Sequence, residues 1–466
     1  FPWRGTVLAV HVLRLFGVAL GAGSVTLTYA LARTVWPERS WLPVLAAALV
    51  AFNPMFIFLS ASVNNDNLIV FLGSWALLLN ARVLRDGLPT RRAATLAVVL
   101  GLAALTKLSG LTLLPVTGAA LAVHAHRTGG WRRTLATGLG MAAGVLLIAG
   151  WWYARNLRLY GELTGLHTMV AIAGPREDVS VHALVRELPG FFAAYWAFFG
   201  AASILADPLA YRFFGAISLA AVAGLAVWLY RQVSAGEHEG LLLPGFLALQ
   251  VAVTLVALLR WTLLTYGSQG RLLFPVIGAI SGLMALGLLT WLPNRLHPVA
   301  PAPVGAPLLL VAAISPFRYI APAYEPPPAV AALPAEAEPI GARYGAVEVV
   351  AVRVGAVDLA TRRLPATLYL RAVAPADDEM SLYLRAAGPD GETIGRLFSY
   401  PGGGNLPVTQ METGVIYEDT YSLHLSEPRA DVTLEITVGE PAGEQFGAAV
   451  GRLPDGTPVT TITARA

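Results

Sequence analysis

Two short stretches of this 466-residue chain carry the residue types that ionic chemistry needs. Lys107 is the sole lysine, and it interrupts otherwise apolar sequence, between residues 101–106 and 108–116. An ammonium in such surroundings is costly, so it usually faces a protein interior or a water-filled cavity, where it can answer an anion. The plainer reading is a lysine at a helix end whose stem snorkels to the lipid headgroups. Asn64-Asn65-Asp66-Asn67 stands between a run ending at Ser60 and a run starting at Leu68. The carboxylate of Asp66 can help hold a divalent cation such as Mg2+ or Mn2+, and the amides suit sugar hydroxyls or diphosphate oxygens. A helix N-cap explains the same residues, because Asp or Asn ahead of an apolar helix supplies an acceptor for its first amides. The two roles are compatible.

Two more clusters stand at the ends of apolar runs. Trp151-Trp152-Tyr153-Ala154-Arg155-Asn156, followed by Tyr160-Gly161, reads on composition as an aromatic belt with an interfacial arginine. Ser268-Gln269-Gly270-Arg271 precedes a further run. A cation at a helix start opposes the macrodipole, so Arg271 answers an anion, either Asp66 or a lipid phosphate, or rests among headgroups. His11 and Arg14 share a helix face, and snorkelling accounts for them. With no cysteine in the chain, a disulfide, a haem thioether and a thiolate metal site are excluded.

The elements that must position these residues are membrane spans. Hydrophobic residues make up 56% of the chain and charged ones 13%, with a mean hydropathy of +0.61. A soluble domain carries about 25% charge. Runs almost free of charge recur at 42–60, 68–84, 93–106, 108–123, 134–152, 213–230, 241–259, 272–291 and 307–314, and another covers about 8–32. A span takes about 20 apolar residues, fewer inside a bundle, which predicts about ten helices. Net charge is split: residues 1–340 hold 22 basic and 13 acidic side chains, and 341–466 hold 10 and 16. The arginines of the first part are scattered between spans, which suits anionic lipid rather than nucleic acid.

Alternating the spans puts Arg33, Arg39, Arg85, Arg91, Arg92, Arg127, Arg132, Arg133, Arg231 and Arg295 on one side. By the positive-inside rule that side is cytoplasmic, and the Asn64–Asn67 stretch, residues 154–210 and the C-terminal region are then outside. Within 154–210, residues 181–199 mix Arg186 and Glu187 with Phe191, Phe192, Tyr195, Trp196, Phe198 and Phe199. That pattern predicts a helix lying in the interface, aromatic side down. Residues 322–340, rich in Pro, Ala and Glu, read as a stiff linker. From 341 to 466, short alternating runs separated by turns such as Pro389-Asp390-Gly391 and Pro454-Asp455-Gly456 predict an antiparallel β-sandwich. The opening Phe1-Pro2-Trp3 lacks an initiator Met and reads as an interfacial aromatic edge within a longer protein.

In order along the chain, Asn53-Pro54-Met55-Phe56 to Ser60, Asn65-Asp66, Leu105-Thr106-Lys107, Trp152-Tyr153-Ala154-Arg155-Asn156 with Tyr160-Gly161, and Gln269-Gly270-Arg271 with Phe274-Pro275 form a set. The set resembles glycosyltransferase family 39 and its relatives, enzymes of the GT-C fold akin to protein O-mannosyltransferases, in their bacterial form with an appended β-sandwich. The resemblance implies a bundle in the bacterial cell membrane, with a polyprenyl-phosphate sugar as donor and an extracytoplasmic glycan, lipid or protein as acceptor. It further implies inverting displacement of the lipid phosphate, with a carboxylate activating the acceptor hydroxyl. Asp66 then matches the family's second acidic position, and Lys107 matches a phosphate-side cation. Asn64, Asn65, Arg155, Asn156, Tyr160, Gln269 and Arg271 become candidate substrate-binding residues. The family's main catalytic Asp belongs to a first outer loop at whose end this chain is expected to start, so the base is expected to lie upstream and the chain alone to be inactive. Two other classes fit the composition. A transporter or flippase would show an internal repeat, and none is visible; an envelope scaffold would bind polysaccharide through its β domain.

Overall fold

A computed structural model describes residues 4–376, 379–442 and 445–465. The aromatic edge expected at residues 1–3 lies outside them. The chain divides into two compact units, Phe1–Ile320 and Ala321–Ala466.

The first unit is helical: α1 Gly5–Val35, α2 Leu42–Ala51, α3 Pro54–Ser60, α4 Asp66–Asp86, α5 Thr90–Thr106, α6 Leu113–Thr128, α7 Trp131–Tyr160, α8 Leu166–Ala173, α9 Val181–Trp196, α10 Pro208–Ser234, α11 Leu242–Leu264, α12 Ile277–Thr290 and α13 Pro301–Ser315. Turns of 3-10 helix, Leu108–Thr112 and Gly270–Val276, lead into α6 and α12. Among the described residues eight helical stretches are long and apolar enough to cross a membrane, and the pair α2 and α3, bent by 61°, would make a ninth. The expected tenth is α5, which has 17 residues. The protein is a multi-pass membrane protein.

The bend between α2 and α3 follows from Asn53-Pro54. Proline has no N–H to continue α2 and suits the first position of a new helix. Asn53, fully buried, caps α3 by accepting from the Phe56 amide at 3.0 Å and donates to the Tyr195 carbonyl at 3.1 Å. One polar side chain thereby ties the bend to α9. Close contact between α4 and the 270–276 turn is set by Gly73. A Cβ there would stand 2.1 Å from the Pro275 carbonyl oxygen, a distance backbone cannot concede.

Successive helix ends alternate between two faces of the bundle. At the face opposite Asp66, arginines satisfy carbonyls left free at helix C-termini. Arg85 donates to Thr34 O at 2.9 Å, Arg92 to Gly87 O just past α4, and Arg127 to Leu84 O at 3.3 Å. Charges that the sequence assigns to lipid contact therefore also close off the bundle.

Residues 181–196 form the expected helix, but its aromatic end turns inward, not to lipid. Tyr195 and Trp196 are buried, the first edge-on to Phe274 at 5.4 Å and the second stacked on Phe214 at 5.0 Å. Val181, Val185 and Leu188 are the exposed apolar residues. Burying a large aromatic against other rings gains more than laying it in the interface, both by area and by edge contacts.

The second unit is a β-sandwich of antiparallel strands: β1 Ala329–Val330, β2 Glu338–Tyr344, β3 Val347–Val354, β4 Arg363–Ala372, β5 Ser381–Ala387, β6 Thr393–Ser399, β7 Ile416–His424, β8 Thr433–Ala442, β9 Gln445–Ala448, β10 Gly451–Arg452, β11 Pro458–Val459 and β12 Thr461–Arg465. One sheet has the order β11-β10-β2-β3-β4-β7-β1. The other runs β9-β8-β5-β6, with β12 also on β8. Alternate residues, including Val349, Leu368 and Leu370 from the first sheet and Leu384, Leu434 and Ile436 from the second, share one buried core. Within 322–340, read from sequence as linker, β1 pairs with β7 and β2 begins at Glu338.

Candidate functional site

Asp66 opens α4, and the polar residues ahead of it shape that start. Asn64 accepts from the Asn67 amide at 3.2 Å and donates to Ser62 Oγ at 2.5 Å, while Asn67, buried, donates to Ser62 O at 3.0 Å. Asn64 therefore supplies the capping acceptor, which leaves the carboxylate of Asp66 free for another partner. That partner is Lys107: its ammonium forms a salt bridge and hydrogen bond to Asp66 Oδ1. The side chains keep 28% and 16% of their surface exposed, so the pair is sheltered yet reachable.

Lys107 is held where α5 stops. Its backbone is extended, with φ −159° and ψ 146°, between the last turn of α5 and the Leu108–Thr112 turn. Its N–H still donates to Ala103 O at 3.2 Å, and Gly110 N–H donates to Lys107 O at 2.9 Å. Gly110 lets the turn fold back on α5, because a Cβ there would lie 2.2 Å from Ala103 O. From the neighbouring helix Asn65 donates to Thr106 O at 3.2 Å, one residue before the lysine. Asn65, Asp66, Thr106 and Lys107 thus form one cluster bridging α4 and α5.

The remaining candidates share this face of the bundle on other helices. Tyr153 donates to Ala104 O at 2.7 Å, which brings the end of α7 beside the end of α5. Beyond it Arg155 is exposed, 5.0 Å over the Trp152 ring, and Tyr160 is exposed too. Asn156 is buried and donates to Leu163 O at 3.3 Å, so it shapes the turn after α7. Arg271 donates to Gln269 Oε1 at 2.7 Å, half-buried at the start of the turn that packs on α4. Its partner is that amide rather than Asp66, whose own partner is Lys107. A divalent cation at Asp66 would have to displace an ammonium, and no group of three or more His, Cys, Asp or Glu gathers among the described residues.

Sequence reasoning passed over an ion pair whose cation is fully enclosed. The guanidinium of Arg176 is completely buried, 2.5 Å from Glu187 Oε1, and donates to Thr262 O at 3.1 Å beneath the Tyr266 ring. It fastens the segment after α8 to α9 and to the end of α11. Glu162 caps α8, accepting from the His167 and Thr168 amides at 3.0 Å each, and these bonds hold its carboxyl below the usual range. Asp207 accepts from Arg318 at 2.7 Å and Tyr319 at 2.9 Å, and the bond from the guanidinium holds its carboxyl below the usual range. Glu162 six residues before Thr168 was the one visible signal; the other partners lie 11 to 112 residues apart.

Residues 9–153 match the family of dolichyl-phosphate-mannose-protein mannosyltransferases. The match runs from α1 through most of α7 and includes Asp66, Lys107 and the cluster between them. The resemblance read from sequence holds over that region, a membrane glycosyltransferase family. Two solved structures are similar at 16% identity. ArnT from Cupriavidus metallidurans in the apo state aligns with TM-score 0.38, over 62% of this chain and 47% of that one. The Archaeoglobus fulgidus oligosaccharyltransferase in complex with Zn and sulfate aligns with TM-score 0.37, over 66% and 41%. The chain therefore spans less than half the length of either. No curated protein matches it significantly.

Proposed function

We propose that this protein is a membrane glycosyltransferase that moves a sugar from a polyprenyl-phosphate donor to an extracytoplasmic glycan, lipid or protein acceptor. The observation that carries the reading is the Asp66–Lys107 pair, half-sheltered at one face of the bundle, inside the region that matches the mannosyltransferase family. An ammonium has three donors, and Asp66 takes one. The others remain for a phosphate arriving at the membrane surface. In the reaction the acceptor oxygen bonds to the anomeric carbon from the face opposite the phosphate. The bond to the phosphate oxygen breaks with its electron pair, and the acceptor proton passes to a carboxylate. Lys107 stabilises the charge that grows on the leaving phosphate, and Asp66 holds the ammonium in place and orients the acceptor. The basic face of the bundle is assigned to the cytoplasm of a bacterial cell, which puts Asp66, Lys107, Arg155, Gln269, Arg271 and the β-sandwich outside.

Lys107→Met, in the full-length protein, tests the reading. One lost charge-stabilising donor costs about 10²–10³ in rate, so transfer from a polyprenyl-phosphate sugar should fall by that factor while the protein accumulates normally. Transfer at the parental rate by a normally accumulating variant would refute the assignment.

A further inference from the structure

Two buried polar residues of α11 lie against the turn that presents Lys107, and neither belongs to the reaction as described. Gln250 is fully buried and Thr254 nearly so, in a helix with no charged residue between Leu242 and Leu259. Gln250 Nε2 donates to Thr112 O at 3.3 Å and to Thr254 Oγ1 at 3.3 Å. Thr254 Oγ1 lies 3.4 Å from Thr112 Oγ1, which itself donates to Ser109 O at 2.7 Å. All four groups sit on the Leu108–Thr112 turn or against it.

An amide inside an apolar helix is expensive unless its bonds do something. Here one is incompletely met: Gln250 Oε1 has no partner among the described residues. A core choosing only for stability would place Leu at this position. What Gln250 gains is a grip on the Thr112 carbonyl at the break between α5 and α6. The turn is then held from three sides, by Asn65 of α4 at Thr106 O, by the fold-back of Gly110 on α5, and by Gln250 and Thr254 of α11. We infer that Gln250, with Thr254, is a positioning residue that fixes the Leu108–Thr112 turn and so aims the Lys107 ammonium at Asp66. The inference deepens the proposed function and rests on it for its meaning in catalysis, but the geometry can be tested without it.

Lys107 is the only lysine of these 466 residues. Peptide mass mapping reads its modification by an amine-acylating reagent apart from that of any other amine. The acylation rate of Lys107 is followed in the whole protein in lipid nanodiscs, for the parent and for Gln250→Leu. Leu matches the volume of Gln and suits the surroundings, so the bundle should retain its thermal midpoint. Release of the ammonium from Asp66 should raise the acylation rate at this one side chain about fivefold, which a loss of packing elsewhere would not. Thr254→Val, isosteric and apolar, should act in the same direction and serves if Gln250→Leu fails to accumulate. A parental acylation rate in either folded variant would overturn the inference. Altered acylation with unchanged sugar transfer would uphold the positioning and instead reject the role of Lys107 in transfer.

Discussion

Breaking the Asp66–Lys107 pair from each side in turn separates its structural from its chemical contribution. Asp66 keeps 16% of its side-chain surface and Lys107 keeps 28%. Lys107→Met strands a mostly buried carboxylate, which should cost about 1–3 kcal/mol, below the figure for a fully enclosed charge. Asp66→Asn strands the more exposed ammonium, which can still find water, and should cost about 1 kcal/mol. It also removes an acidic group from the first turn of α4, worth about 0.3–1 kcal/mol of macrodipole interaction. That part is lost with or without Lys107 and cancels in a cycle. The double variant holds two neutral groups and should lie within about 1 kcal/mol of the parent. Apart from the dipole part, the two single losses add to about 2–4 kcal/mol and the double variant loses almost nothing, so the expected coupling is about 2–4 kcal/mol. Denaturant titration in mixed micelles, read by the fluorescence of the 11 tryptophans, measures it. Losses that simply add would mean that the two side chains do not meet, and the site built on them would fall.

Three further outcomes are expected. Cysteines placed at Asn64 and at Thr413 should both react with an impermeant thiol reagent in intact cells, whereas labelling only after membrane disruption would reverse the orientation. Residues 321–466 expressed alone should fold cooperatively without detergent, and starting at 341 should lower the midpoint of thermal unfolding, because that cut removes β1 from β7 and the first three residues of β2. Burial pushes the carboxyl of Asp419 up, beneath bonds from Gly402 N–H and the Tyr421 hydroxyl. Its stabilising contribution is then complete below about pH 4 and is lost as pH rises through its folded value. Asp419→Asn should remove that decline and leave the unit more stable than the parent at pH 7, as read from denaturant midpoints; equal pH slopes in the two proteins would show that Asp419 is not the group responsible.

The spans were legible because burial in lipid writes itself as uninterrupted apolar sequence. Leu68 to Leu84 needs no partner to be recognised, and α4 covers it. The strands were legible for the same reason at period two, as in 347–354, which is β3, and 367–373, all but the last residue of which lies in β4. Elements whose burial depends on a distant partner read less well. The aromatic face of α9 has the composition of an interfacial helix, and only the presence of Phe214 and Phe274 across the bundle turns Trp196 and Tyr195 inward. The Pro-rich 322–340 stretch resembles a linker by composition, yet two of its residues find an open edge on β7.

At the candidate site the same rule divides what was seen from what was missed. A lone lysine between apolar runs is anomalous by itself, so Lys107 is visible without any structure. Its pairing with Asp66 was within reach because both fall at the same end of adjacent helices, by counting spans. Gln250 and Thr254 give no such signal, since an amide and a hydroxyl in an apolar helix resemble tolerated polar residues until Thr112 is placed beside them. Arg176 is hidden in a different way. In sequence it stands among charged loop residues, Glu177 and Asp178, and looks solvated, whereas its guanidinium is wholly enclosed by Glu187 and the Thr262 carbonyl. A charge in a charged neighbourhood hides a burial that costs several kcal/mol if left unpaired. Positions that carry chemistry show in the sequence when they violate their surroundings; the residues that hold them in place conform to theirs, and only contact reveals them.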